Sequence, residues 1–163
     1  MSEQTDQLSP EQVEALMDGL LAGLSMAEAT GIQPEVLEAG YGLAFTLYNS
    51  GNFKDAETMF KALAIYDHKD ARFWMGLAGS RQMNGNLDGA IEAYGMATLS
   101  ESLVSPGPSV HAGLCYLKKG DQENARALFD AAVELGDAAN PEHRSYHERA
   151  RAMLDLLKKE GTA

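Results

Sequence analysis

An all-α solenoid of tandem helix pairs is the architecture this chain predicts, and three observations predict it. A glycine is followed five residues later by alanine and nine later by an aromatic ring at Gly51/Ala56/Phe60, Gly85/Ala90/Tyr94 and Gly120/Ala125/Phe129. The glycines recur at spacings of 34 and 35 residues. Eight residues upstream of each begins a small or apolar pair, Leu43-Ala44, Leu77-Ala78 and Ala112-Gly113.

A period of about 34 residues is that of tetratricopeptide units, each a helix, a tight turn and an antiparallel second helix. Glycine takes the left-handed conformation that ends the first helix. Alanine marks the closest approach of the pair, and the aromatic residue one turn on fills the space beside it. The expected architecture is therefore three tandem tetratricopeptide helix pairs in a short solenoid, with an extra N-terminal helix and a C-terminal capping helix.

The elements follow in order. Residues 1–8 read as a loose tail, and 9–33 as an N-terminal helical extension and possible dimerisation segment. Ser9, Pro10 and Gln12 form a capping-box start. Behind it Val13, Leu16, Met17, Leu20, Leu21 and Leu24 fall on one stripe of an amphipathic helix. That stripe must be buried against the repeats or against a second copy of the chain. Ser25-Met26-Ala27-Glu28 is a second capping box, opening a short turn that Gly31 stops. The repeats occupy 34–139. Pro34 starts the first, with helices at roughly 35–49 and 53–66; the second has helices at about 71–83 and 87–99, and the third at about 109–118 and 122–135. Ser100 to Ser109, with Pro106, Gly107 and Pro108, is the longest break. Pro141 opens a last helix within 140–163, about 142–159. Its face of Tyr146, Ala150, Met153, Leu154 and Leu157 suits a cap on the open end of a solenoid.

The first helices of the pairs line the inside of such a curve. With the three small pairs turned into the helix-pair interface, residues ten, six and three before each turn glycine face a groove. They are Tyr41, Phe45 and Tyr48, then Met75, Gly79 and Gln82, then Val110, Leu114 and Leu117. A groove so lined is apolar, has a gap at Gly79 and an adaptable thioether at Met75, and suits apolar side chains of an extended segment. Two or three buried anchors at roughly 1.5–3 kcal/mol each, set against the cost of ordering the segment, give modest affinity. That suits a carrier that must release its cargo.

Composition closes off other functions. The chain has 163 residues, 45% of them hydrophobic, enough for one core. Its formal charge of −11 repels nucleic acid and anionic lipid. No apolar run reaches the roughly 20 residues of a membrane span, and the polar, acidic start lacks a leader pattern, so a cytoplasmic protein is expected. The single cysteine, Cys115, forms no internal disulfide. His111 and Cys115 share a helix face without an oriented base or oxyanion site, and read as a packed pair. His143 and His147 lack a third ligand and read as a solvated face. No phosphate loop or dinucleotide fingerprint occurs. A non-enzyme without metal or cofactor is expected.

The assembled residues resemble one branch of the tetratricopeptide proteins, the class II chaperones of bacterial type III secretion, which hold pore-forming translocator proteins before export. The resemblance runs from about Gly23 to Leu135. Its most specific stretch is Asp67-His68-Lys69-Asp70-Ala71-Arg72-Phe73, followed by Gly76-Leu77 and Arg81-Gln82. Tyr41 and Tyr48, bracketing Leu43-Ala44-Phe45, also match, as do His111-Ala112 and Cys115. Gly40 and the stretch Ser105 to Ser109 depart from the family pattern. The resemblance implies a concave face that clasps an N-terminal translocator segment, a groove that includes Tyr41 and Tyr48 with His68 nearby, and a homodimer supported by the N-terminal helix. A general scaffold that grips a resident peptide of a secretion or pilus machine is the alternative reading. Capture of acidic heat-shock tails is excluded, because Tyr41, Phe45, Gly76, Gly107 and His111 stand where that clamp needs Lys, Asn and Arg.

Overall fold

The computed structural model describes residues 8–102 and 104–160, the side chain of residue 160 apart; residues 1–7 of the expected tail lie outside them. All regular structure among these residues is helical. An N-terminal pair, α1 (Pro10–Leu21) and α2 (Met26–Thr30), precedes α3 (Pro34–Asn49) and α4 (Phe53–Tyr66). Next come α5 (Ala71–Met83) and α6 (Leu87–Ser100), α7 (Gly107–Lys118) and α8 (Gln122–Glu134), and finally α9 (Pro141–Glu160). From α4 onward each helix packs on the one before it.

Each turn within a repeat uses a glycine followed by Asn or Asp. Gly51, Gly85 and Gly120 take φ of 82°, 82° and 79°. The amide of the next residue then reaches back to close the helix: Asn52 N–H donates to Leu47 O (2.9 Å), Asn86 N–H to Arg81 O (2.9 Å) and Asp121 N–H to Tyr116 O (3.0 Å). In the second and third repeats that residue also caps the following helix, Asn86 Oδ1 accepting from Gly89 N–H (3.0 Å) and Asp121 Oδ1 from Asn124 N–H (3.1 Å). A glycine followed by Asn or Asp thus ends one helix and starts the next.

The core is continuous through the repeats. Phe60, Tyr94 and Phe129, the three phased aromatics, are buried, as are Ala56, Ala90 and Ala125. One cluster runs from Ala44 to Cys115; a second joins Val110, Ala125 and Phe129 to Ala150 and Leu157 of α9. α7 belongs to both. Tyr146, Met153 and Leu154 pack on the second cluster, so α9 covers the far end of the solenoid.

Three sequence expectations are corrected, and one open alternative is narrowed. Leu43 is 52% exposed, whereas Leu77 at the same place in the next repeat is 2% exposed; no preceding repeat covers α3. Gly107 and Pro108 begin α7 and are buried, which shortens the break. His143 and His147 are not a solvated face: His147 is buried with Nε2 2.6 Å from Leu135 O, and His143 Nδ1 accepts from Asp137 N–H at 2.9 Å. Both rings fasten the α8–α9 turn. The stripe of α1 is not packed in the repeats. Val13, Met17, Leu21 and Leu24 are exposed, Leu16 and Leu20 half-buried, and α1 leans on α2.

The extension is tied on by charge. Ser25 and Glu28 form the capping box of α2, and Lys69 Nζ lies 2.6 Å from Glu28 Oε2. Lys69, with the backbone amide of Ser25 next, holds the Glu28 carboxyl well below the usual carboxylate range.

Candidate peptide-binding groove

On the inner side of the first two repeats lies a cleft of about 330 Å³. α3 contributes Tyr41, Phe45 and Tyr48, one helical turn apart; α5 contributes Arg72, Met75, Gly76 and Gly79. Phe60 and Tyr94 reach in from α4 and α6, and Glu101 and His111 line the α6–α7 side.

The rings are held by one another. Tyr41 stacks on Phe45 (6.1 Å, 23°) and meets Phe60 edge-on (6.0 Å, 67°). The Arg72 guanidinium lies 4.9 Å over the Tyr41 ring. Arg72 is itself fixed by Asp70, through Nη2 to Oδ2 at 2.6 Å, and by Glu38 of α3. Donating hydrogen bonds to Asp70 and then to Glu38 pushes its pKa up. The string Asp70-Ala71-Arg72-Phe73 therefore braces one wall. Tyr48 is propped edge-on by Phe53 (5.3 Å, 69°).

Two glycines shape the floor. A Cβ at Gly76 would stand 2.3 Å from the Phe60 ring, so the ring occupies the space a side chain would need. A Cβ at Gly79 would stand 3.4 Å from the Tyr48 ring and hydroxyl. The phenol of Tyr48 consequently opens onto the cleft beside a bare backbone.

On the α7 side His111 lies flat against Tyr94 (5.4 Å, 17°) and edge-on to Tyr146 of α9 (5.9 Å, 72°). Burial, with the charge of Arg149 adding to it, lowers the His111 pKa and favours the neutral ring. Tyr94 O–H donates to Gln82 Oε1 (2.9 Å), and Cys115 Sγ donates to the same oxygen (3.5 Å). Burial raises the pKa of both donors. Such walls offer apolar contact, with a phenol and an imidazole for hydrogen bonds; no cluster of three or more His, Cys, Asp or Glu able to hold a metal ion occurs among the described residues.

Five of the ten residues expected in a groove come together here: Tyr41, Phe45, Tyr48, Met75 and Gly79. The other five lie elsewhere. Gln82 is turned to Tyr94 and Cys115. Val110 is fully buried, and Leu114 and Leu117 pack on the second core cluster with α9. His68 is exposed beside Lys69, Met96, Leu99 and Ser100 in a separate hollow, its carbonyl accepting from Trp74 Nε1 (2.9 Å). α9 packs on this end of the third repeat, and the cleft stops at His111. Phe60, Arg72, Gly76, Tyr94, Glu101 and His111 were not in the expected set. Phe60 and Tyr94 carried a signal as phased aromatics, since a ring that fills the helix-pair gap can show its far edge to the inside.

Residues 22–80 and 73–99 match models of the tetratricopeptide repeat. Over 156 residues the chain is 34% identical to the Low calcium response locus protein H of Yersinia pseudotuberculosis, across 95% of this chain and 92% of that one. The type III secretion chaperone SycD of Yersinia enterocolitica, solved in complex with a peptide of the translocator YopD, superposes with a TM-score of 0.73 at 36% identity, over 80% of this chain and 98% of SycD. SycD has also been solved as an alternative dimer, with a TM-score of 0.74 at 36% identity, over 81% and 98%. A type III secretion complex from Aeromonas hydrophila superposes with a TM-score of 0.83 at 32% identity, over 91% of this chain and 98% of the matched one.

Proposed function

The chain belongs to the class II, tetratricopeptide-repeat chaperones of type III secretion translocators, and from that premise we propose that its groove clasps an extended apolar segment of a translocator protein. Held there in the cytoplasm, the cargo stays soluble and partly unfolded until export. The observation that carries this reading is the open cleft between α3 and α5, walled by the half-buried rings of Tyr41 and Tyr48 and the exposed ring of Phe45. A segment lying across it gains from burying side chains beside Tyr41 and Tyr48, while their phenols meet its backbone. The membrane-spanning parts of such a cargo aggregate when free in water, and covering them for a time requires binding, not chemistry.

SycD has been solved with a peptide of the translocator YopD, and PcrH with the chaperone binding regions of PopD and PopB, and the aromatic wall here is of the kind an extended peptide needs. Mass spectrometry of what co-purifies from the native host identifies the cargo. Tyr41→Ala with Tyr48→Ala is expected to abolish that co-purification while helical circular dichroism persists. Undiminished capture by the double variant would remove the groove from the account.

A further inference from the structure

Among the described residues, the wall of the groove contains a buried carboxylate oxygen that no hydrogen-bond donor reaches. Glu101 is the C-cap of α6 and lines the cleft on its α6–α7 side. Its Oε2 is buried, and no hydrogen-bond donor among the described residues reaches it. Of the neighbouring groups, Tyr94 O–H is committed to Gln82, while His111 and Tyr146 meet each other and Tyr94 through their rings; the Tyr146 phenol is close enough for the Glu101 charge to act on it, without a hydrogen bond between them. Arg72, the cation of the lining, pairs with Asp70 and Glu38 on the α3–α5 side. Arg149 is close enough for its charge to act on His111 and Tyr146 but forms no ion pair with Glu101.

A buried carboxylate oxygen without a donor is unfavourable and rare in folded proteins, so a donor brought from outside gains more there than on open surface. A cationic donor gains most, because charge-assisted hydrogen bonds are the strong ones. Lysine and arginine also have apolar stems that can lie along an aromatic wall while the head reaches a carboxylate. The formal charge of −11 favours a cationic partner in the same sense.

We infer that the segment bound in the groove carries a lysine or arginine that pairs with Glu101, so that this carboxylate sets the register of a chain whose apolar anchors sit between Tyr41 and Met75. The inference rests on the groove reading above and adds to it the chemistry of one cargo position. Without such a contact an apolar trough accepts an anchor in several registers; one buried charge selects among them.

The test is selection from a phage-displayed library of random dodecapeptides on the full chain, on Glu101→Gln and on Glu101→Lys, each checked by circular dichroism. The wild type is expected to enrich apolar anchors with Lys or Arg at one constant offset from them. Glu101→Gln should keep the anchors and lose the basic position, and Glu101→Lys should exchange it for Asp or Glu. In an enriched peptide, replacing that lysine by norleucine should weaken binding about tenfold on the wild type and less than twofold on Glu101→Gln. Anchors without a basic position, or a basic position that survives Glu101→Gln, would overturn the inference and leave the groove standing. Failure to enrich apolar anchors at all would overturn the groove reading, and the inference with it.

Discussion

Gly42 and Gly76 occupy the same place in successive repeats, nine residues before the turn glycine, yet their surroundings are opposite. A Cβ at Gly42 meets nothing within 4 Å, while one at Gly76 meets the Phe60 ring at 2.3 Å. Alanine is favoured over glycine in a helix by about 1 kcal/mol, and overpacking against a fixed ring costs typically 1–3 kcal/mol. Gly42→Ala is therefore expected to raise the melting temperature by a few degrees and Gly76→Ala to lower it, as differential scanning calorimetry would register. A shift in the same direction for both would mean that Phe60 yields at little cost. His111 makes the second prediction at this scale. Its ordinary pKa of 6.5 is lowered in the folded chain, so the unfolded chain binds the extra proton first. The contribution to stability is full above about pH 6.5 and is lost as pH falls toward the lowered value. The urea midpoint should fall between pH 7.5 and 5.5, and by less in His111→Phe; an unchanged pH dependence in that variant would assign the loss to other groups.

Among the elements, α1 stands apart. An amphipathic helix is stabilised chiefly by burial of its apolar face, yet here Met17 is 53% and Leu21 81% exposed. Leu43 is exposed in α3 for a related reason, since the first repeat has no repeat before it. Pairing with a second copy of the chain would cover both surfaces. Met17→Glu with Leu21→Glu is expected to turn a dimer into a monomer in multi-angle light scattering and to leave circular dichroism nearly unchanged. A wild type already monomeric at micromolar concentration would end that expectation. α9 acts at the other end, packing on the cluster that holds Val110, with Leu114 and Leu117 half-buried beside it. Its apolar face was evident from Tyr146, Ala150, Met153, Leu154 and Leu157, and so was its place on the end of the solenoid, but not which side chains of the third repeat it would meet, because periodicity records that a helix has a buried side and not which residues bury it.

Across the whole molecule, the helix pairs and their phase were legible from one-dimensional spacing. A glycine, an alanine and an aromatic residue at constant offsets report contacts between helices adjacent in sequence, and those contacts repeat with the chain. The two-repeat wall of Tyr41, Phe45, Tyr48, Met75 and Gly79 was legible for the same reason, as each of these helices has a regular neighbour. What the sequence by itself determined is therefore the local, periodic part: where helices start and stop, which small residues meet, and that the inner side is aromatic. Only the tertiary structure decided where the groove ends, that Gln82 is turned inward while His111 lines the wall, and that Glu101 reaches the cleft without a donor. These depend on the ends of the solenoid and on loops between repeats, where contacts join residues with no constant spacing and packing, not period, sets which side chain faces the space.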